Sequence, residues 1–583
     1  MSLLRALRQS GALRTLDDAL AQSLRRLDAS TPDEVLAAAA LASLAVAQGH
    51  AAFDPAQPRQ FVDGDLPWPD VDAWLSALQA SRFVATPETM EAESIAAPLV
   101  LEGGLLYLRR YREYERRLAL GLQRIAAQSL EGDGVAIQPL FATLFPDAEH
   151  GDLQARAAAL ALRHALVLIT GGPGTGKTTT IARLLVLRIA QAIATGKQTP
   201  RIALAAPTGR AAERMSESLR RAARQLETSG IAVDLLAALP ASASTLHRLL
   251  GTIPDTTRFR HDAGNPLPFD IVVVDEASMV DLPLMCKLVA AVADGAQLIL
   301  LGDADQLPSV EAGDVLAAIL SADNLRDHRV HLQRGWRQSA TLQLAPLAEA
   351  VREGATTEAL ALLRGDTLSN VHFHEGVDDP LQARPQLLEH WRALATIDDP
   401  AEALVQANRL RLLTALREGP QGARGLNARI EAALSGRRIG TPPAWFPGRL
   451  LLITRNHHPQ QLFNGDVGIC LPDEHGVPLA WFAGEGGVRA FHPAALPAHE
   501  SAFAMTVHKA QGSEFDEVWL QLPRIDSRVL SRELIYTAMT RARDVLHIAG
   551  SANVIESALS RHASRVSGLG RRLSILPTSR KPQ

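Results

Sequence analysis

Four short apolar runs constrain this chain more than any other feature: ALVLIT (165–170), IALAAP (202–207), IVVVDEA (271–277) and LILLGD (298–303). None alternates apolar with polar residues, and stretches of helical length separate them. Unbroken apolar runs of this length are the pattern of strands covered on both faces. They predict a parallel α/β sheet across residues 116–345, with its strands from about 150 onward. A second alternating region covers 346–583. Within it, about 430–500 is rich in Pro and Gly from 440 onward and carries short β-like runs such as RLLLITRN and NGDVGIC. That composition predicts a small β-module set into a second α/β domain. Residues 1–115 read as a helical amino-terminal domain. In TPDEVLAAAALASLAVAQG, Thr31 is expected as N-cap, Pro32 at the first helical position, Glu34 as the partner in a capping box, and Gly49 as the stop. PLVLEGGLLYLRRYREYE (98–115) reads as a strand, a turn at Gly103-Gly104, a second strand and a basic-aromatic helix.

A chain of 583 residues has room for about two to four domains of this kind. The net charge of −4 excludes a generically basic, histone-like binder. Charge is uneven, however: from Arg524 to the end there are 11 Arg/Lys against 4 Asp/Glu. That is the pattern either of a solvated tail or of contact with a polyanion or acidic partner. Cys286 and Cys470 alone make no zinc or iron–sulfur framework and require no oxidising compartment. The start, MSLLRALRQSGALRTL, lacks a secretory core and cleavage site, and no apolar run has transmembrane length. A bacterial cytoplasmic protein is expected.

GGPGTGKTTT (171–180) follows a predicted strand and opens the helical stretch IARLLVLRIA. It fits the phosphate-binding loop G-x-x-x-x-G-K-[ST] in the strand–loop–helix setting that motif requires. Gly171, Gly172, Pro173, Gly174, Thr175 and Gly176 let backbone N–H groups wrap phosphates. Lys177 is placed for the β/γ-phosphates, the Thr178 hydroxyl for Mg²⁺, and Thr179 for the loop's helical end. Asp275 and Glu276 end the run IVVVDEAS, where one carboxylate suits Mg²⁺ and its neighbour can activate water. Seen alone, such a pair also caps helices. Gln306, at the end of the next strand in LGDADQLPSV, can sense the γ-phosphate. The expected substrate is ATP, hydrolysed with Mg²⁺.

QRGWRQS (333–339) and LIYTAMTRAR (534–543) place Arg337 and Arg541 at the ends of elements outside the core of the P-loop sheet. An arginine reaching the γ-phosphate from another domain makes closure depend on ATP. A lone arginine is more often a surface ion-pair partner.

In chain order, GGPGTGKTTT, APTGRAAERM, STLHRLLG, VVVDEASM, LLGDADQLPSV, WRQS, TVHKAQGSEF and LIYTAMTRAR resemble the motif series of the superfamily 1B DNA helicases. The wording is most similar to the RecD family, the alpha subunits of exodeoxyribonuclease V (RecBCD). The resemblance spans about residues 98–573. It implies two RecA-like motor domains, an SH3-like insert, and a pin hairpin at about 255–270 with its turn at Gly264-Asn265-Pro266. It also implies 5′→3′ movement on DNA single strands and duplex ends. A beta helicase–nuclease subunit and a gamma subunit complete the family complex, and no nuclease site is assigned to this chain. The same resemblance gives Gln154 the reading of adenine, Gly512 a place near the γ-phosphate and Glu514 the ribose hydroxyl. Pro207, Thr208, Arg210, Thr245, His247, Thr506 and His508 take the DNA backbone. As bare sequence, Gln154 could be a solvent-facing helix residue, His508 structural, and the pin an ordinary loop.

Two departures stand out. Trp336 occupies a position where tyrosine or phenylalanine is usual, and AQGHAAFDP is only a weak echo of the family's small amino-terminal domain. Two other functions fit parts of the pattern: a free-standing RecD-like helicase, and a nucleotide-gated clamp that holds DNA ends without translocating. Intact Glu276, Arg337 and Arg541 weigh against the clamp, which has no use for rapid hydrolysis.

Overall fold

The computed structural model describes residues 2–87, 97–130, 136–148, 151–333, 342–365, 367–435, 444–484 and 487–575. Two parallel sheets form its centre. The first has six strands in the order Ser244–Thr245, Ile202–Ala206, Ile271–Val274, Gln297–Gly302, Leu166–Gly171 and Arg329–Leu332, every pair parallel. The apolar runs are its middle strands, and Val167, Leu168, Val273 and Ile299 have no exposed surface. Residues of both faces are buried because helices cover both. Leu168, Val272 and Leu298 join one core, while Val167, Val273 and Ile299 join another. Each such side chain contributes roughly 1.5–3 kcal/mol on leaving water. Strands with so little polar surface have no stable place at an edge.

The second parallel sheet has five strands, Val371–Glu375, Ala542–Gly550, Phe515–Gln521, Leu410–Thr414 and Ala504–Thr506. Between Leu410–Thr414 and Ala504–Thr506 the chain builds a separate antiparallel sheet of Gly487–Phe491, Pro478–Gly484, Val467–Pro472, Leu450–Ile453 and His499–Ser501. This is the expected β-module, and both RLLLITRN and NGDVGIC supply strands to it.

The amino-terminal region packs the helices Leu3–Gln9, Thr15–Leu27, Asp33–Ala47 and Val71–Gln79 against a small sheet that includes the hairpin Leu99–Glu102/Leu105–Leu108. The cap of its central helix differs from expectation. The helix starts at Asp33 with Pro32 as N-cap, while the Thr31 hydroxyl donates back to the Asp28 carbonyl at 2.8 Å. Thr31 thus belongs to the preceding turn, one residue before the N-cap, and Glu34 closes no box. Gly49, at φ +90°, does end the run.

The expected division at 115/116 falls inside a single helix, Arg109–Ala126. Its apolar face (Leu118, Leu122, Ile125) is buried in the core under the first parallel sheet, so the helix belongs to both regions. The end of the chain also leaves the second sheet's domain. Leu569 and Leu573 are buried in the core under the first parallel sheet, and the Val566 carbonyl accepts from the Ala51 N–H at 2.9 Å. No helix among the described residues is long and apolar enough to cross a membrane.

Candidate nucleotide and nucleic-acid site

The phosphate-loop motif lies between the buried strand Leu166–Gly171 and the helix Lys177–Ala194, as its spacing requires. Gly174 and Gly176 take φ of +79° and +87°, a left-handed backbone that a side chain resists. At Gly171 an added Cβ would lie 2.7 Å from the Leu332 carbonyl oxygen, so only hydrogen fits. The Lys177 ammonium folds over this cradle and donates to the carbonyls of Gly171 (2.6 Å) and Gly172 (3.0 Å). An incoming phosphate offers it a charged acceptor in place of those neutral ones.

Asp275 follows the strand Ile271–Val274, and its carboxylate accepts the Glu276 N–H at 2.8 Å. Burial, reinforced by the charge of Glu276 and opposed by Lys177, pushes the Asp275 carboxyl up to about 6. Glu276 itself sits at φ +52°, a left-handed conformation that costs a non-glycine residue about 1 kcal/mol or more. Pro173, Gly174, Gly176, Lys177, Thr178, Thr179, Asp275, Glu276, Gln306, Glu514 and Arg541 all line one cavity of 140 Å³. Gly172 and Thr175 line an adjoining cavity of 1040 Å³ that also receives Glu514, Tyr536 and Arg543. The Thr178 hydroxyl and the Asp275 carboxylate are hard oxygen donors in the same cavity. That set fits Mg²⁺, which keeps most of its shell as water and phosphate oxygen.

Both cavities are walled by the two motors together. The helix Arg532–Met539 and its following turn bring Arg541 to the seam, where its side chain is buried. Arg541 donates to the carbonyls of Thr537 (3.0 Å) and Ser513 (3.2 Å) and to the Gln306 side-chain oxygen (3.1 Å). The Gln306 amide in turn donates to Asp303 at 2.9 Å, and Asp303 also accepts the Tyr536 hydroxyl at 3.2 Å. Gln306 and Arg541 are thus joined directly. Asp303 and Tyr536 extend this chain of bonds, which the sequence did not announce.

TVHKAQGSEF connects the last strand of the second sheet, Ala504–Thr506, to the strand Phe515–Gln521. Its residues face different ways. Glu514 reaches the nucleotide cavities, where its carboxylate is shared by Arg214 of the first motor and Arg543 (3.2 Å). Gly512 lies at φ +71° against Thr208 and Ala211, outside the lining of either cavity, and its carbonyl accepts from Arg214 at 2.7 Å. His508 is held below its ordinary pKa by burial and by the charge of Arg565.

The expected DNA residues share one structural device. Thr208, Thr245 and Thr506 each follow or end a strand of a parallel sheet and cap the next helix, accepting the N–H of Ala211, Arg248 and Lys509. A hydroxyl used as acceptor in this way still has its proton to donate to a phosphate oxygen. Pro207 adjoins the first cap, and His247 follows the second, its ring 5.8 Å from that of Phe259. Thr506 lines a cavity of 240 Å³ with Arg417, Arg424, Arg449 and Lys509, four cations against Glu431 and Glu500. Arg210 departs from the group. Its guanidinium turns into the motor–motor seam and donates to the Ser513 hydroxyl at 3.0 Å. His508 departs as well, since it does not line the cavity of Thr506.

Gln154 is buried, and its amide donates to the Thr175 carbonyl of the phosphate loop at 3.3 Å. It is no solvent-facing helix residue. Arg337 and Trp336 lie outside the described residues. The pin region reverses through two isolated bridges, Thr252 to Phe259 and Asp262 to Asn265. Its tight turn is at 262–265, where the Asp262 carboxylate accepts the N–H groups of Gly264 and Asn265. That is earlier than the Gly264-Asn265-Pro266 turn expected from composition. Arg214 was not anticipated; only its position, one turn beyond Arg210 on the helix that Thr208 caps, could have pointed to it.

A phosphate loop facing a second parallel-sheet domain that supplies a buried arginine defines a two-motor ATPase of the superfamily 1 helicase type. Models of three known families match the chain: an AAA domain over 154–312, a UvrD-like helicase C-terminal domain over 501–549, and the N-terminal domain of the RecBCD enzyme subunit RecD over 9–107. The RecD subunit of Mycobacterium tuberculosis is 39% identical, across 98% of this chain and 96% of its own length. That of Haemophilus influenzae is 35% identical across 87% and 85%. The ATP-dependent RecD2 DNA helicase of Deinococcus radiodurans is 35% identical, across 68% of this chain but 48% of its own. The chain belongs to the RecD family of ATP-dependent DNA helicases.

Proposed function

We propose that this chain is the 5′→3′ single-stranded DNA motor of a RecBCD-type helicase–nuclease that processes DNA double-strand ends for recombination repair. Its partners in this reading are a beta helicase–nuclease subunit and a gamma subunit, the latter met by the amino-terminal domain. The observation that carries the motor reading is the Gln306–Arg541 contact across the two motors at the mouth of the phosphate loop. Full-length similarity to RecD subunits, including the match over the amino-terminal region, supports the assignment to a complex.

In this mechanism Lys177 and the loop amides hold the β- and γ-phosphates, and Thr178 and Asp275 would hold Mg²⁺, which would neutralise phosphate charge. Glu276 takes the proton of the attacking water. Gln306 registers whether the γ-phosphate is present, and Arg541, with Arg337, stabilises the charge that develops as the bond to it breaks. Hydrolysis therefore alters the bonding of Gln306 and Arg541, and with it the closure of the motors. The Gly512 segment carries that change to Thr506, a few residues away at the cationic cavity. Thr208, Thr245 and Thr506 then grip and release phosphates of one strand, giving movement without sequence preference. The antiparallel module plays the part of the SH3-like insert that channels the strand.

Strand displacement with ATP and Mg²⁺, on duplexes bearing a 5′ or a 3′ tail, tests this reading. Unwinding of the 5′-tailed substrate alone, abolished in Lys177→Gln, is expected. Unwinding of only the 3′-tailed substrate overturns the direction. DNA-stimulated hydrolysis with no unwinding by the chain or by its reconstituted complex favours the clamp.

A further inference from the structure

The cations that line the phosphate-loop cavity are Lys177, Arg214 and Arg541. The first and last have roles in the motor. Arg214 has none, yet its surroundings are specific. It projects from the helix Gly209–Thr228 of the first motor and spends its donors on the second. One guanidinium nitrogen donates to the Gly512 carbonyl at 2.7 Å and the other to the Glu514 carboxylate. Its side chain is 32% exposed, whereas Arg541 is buried and tied to four acceptors. It lines the same cavity as Lys177, Asp275, Glu276 and Arg541, and its charge is felt by Asp275 and by Arg541.

We propose that Arg214 is an exchangeable ligand of the terminal phosphate, which leaves Gly512 and Glu514 when a nucleoside triphosphate enters. This rests on the reading of the cavity as the ATP site. The exchange is chemically balanced. A dianionic phosphate oxygen group is a stronger partner for a guanidinium than a neutral carbonyl plus a shared carboxylate. Glu514 does not lose all its pairing, because Arg543 remains at 3.2 Å from its other oxygen. Once released by Arg214, the carboxylate can turn to the nucleotide's ribose. The Gly512 segment loses a bond to the first motor as the terminal phosphate gains one, so nucleotide entry loosens the segment that leads to Thr506. A diphosphate, lacking the terminal group, leaves the resting bonds in place.

The test is equilibrium binding of ADP and of a non-hydrolysable ATP analogue to the full chain, as wild type, Arg214→Ala and Arg214→Lys. Arg214→Ala should weaken the analogue roughly tenfold or more, the scale of one charge-assisted hydrogen bond, while ADP changes by less than about twofold. Arg214→Lys, which keeps the charge and the seam's electrostatics, should fall between. Glu514→Gln removes the resting competitor, so the ratio of analogue to ADP affinity should rise even if both weaken through a lost ribose contact. Equal loss for both nucleotides in Arg214→Ala, or no loss, overturns the assignment and leaves Arg214 a structural tie. Wild-type hydrolysis stimulated by DNA is measured alongside. If it is present and the ratios do not move, only the Arg214 inference fails; if wild type binds neither nucleotide, the ATP-site reading fails with it.

Discussion

Arg541 and Gln306, 235 positions apart in sequence, are joined by a hydrogen bond of 3.1 Å that crosses from one motor to the other. The bond is buried, and the Gln306 amide is oriented by a second bond to Asp303. In the proposed mechanism, replacing Arg541 by alanine removes transition-state charge stabilisation and the seam contact together. The maximal rate of ATP hydrolysis should fall on the order of 10³-fold, with a much smaller change in nucleotide affinity. Steady-state kinetics separates the two. The double variant with Gln306→Ala should lose far less than the product of the single losses, because both act through one contact.

The cavity beside Thr506 carries four cations against two carboxylates. Arg417 is half exposed and reaches only the far oxygen of Glu500, at 3.6 Å, so it retains donors for a phosphate. Arg417→Ala should weaken single-stranded DNA binding at all sequences alike and reduce the slope of log K against log salt by about 0.7. Titrations at several salt concentrations check this. An unchanged slope would place the strand elsewhere.

Glu115 binds the carboxy-terminal segment to the rest of the molecule. Its fully buried carboxylate accepts the Ser567 hydroxyl (2.7 Å), the Gly568 N–H (3.1 Å) and the Arg572 guanidinium (3.3 Å), and Arg572 also pairs with Glu102. Glu115→Ala leaves Arg572 with Glu102 alone and takes the acceptor from the Ser567 hydroxyl and the Gly568 N–H, and should cost roughly 1–3 kcal/mol. Glu115→Gln, which still accepts, should cost less. Thermal melts should rank them in that order, with earlier proteolytic cleavage near residue 565 in the alanine variant.

His50 makes the same junction sensitive to acid. Its Nδ1 accepts the Val566 N–H at 3.0 Å, and burial together with the charge of Arg565 lowers the imidazole to about 4. In the unfolded chain it protonates near 6.5, so below that pH the unfolded state binds the extra proton. Stability is therefore whole above pH 6.5 and declines as pH falls toward 4, by about 3 kcal/mol at most. His50→Gln should show a smaller fall in melting temperature between pH 7.5 and 4.5 than wild type. Parallel curves would acquit His50.

The phosphate loop, its strand and its helix were legible because each depends on residues next to one another in the chain. The threonine caps are equally local, although the resemblance pointed to these residues only as DNA contacts. Thr208, Thr245 and Thr506 each precede a helical turn, and a hydroxyl there has a local N–H to accept. The unbroken apolar runs likewise announced the first parallel sheet, whereas the parallel sheet of the second region was implied only by the resemblance. The cap expected at Thr31 was missed because the helix starts at Asp33 with Pro32 as its N-cap, and the Thr31 hydroxyl donates to the Asp28 carbonyl of the preceding turn.

What the sequence by itself determined is therefore local chemistry: where phosphate can be cradled, where carboxylates end a strand, and which runs must be buried. Only the tertiary structure decided which distant side chains meet. Arg214 with Glu514, Tyr536 with Asp303, and the last described residues against Glu115 and His50 are contacts across seams. So is the inward turn of Arg210 toward Ser513. The physical reason is reach. A backbone pattern sets the direction of an element, but an arginine spans several ångströms, and its partner is whatever acceptor the packing of another domain brings within that span.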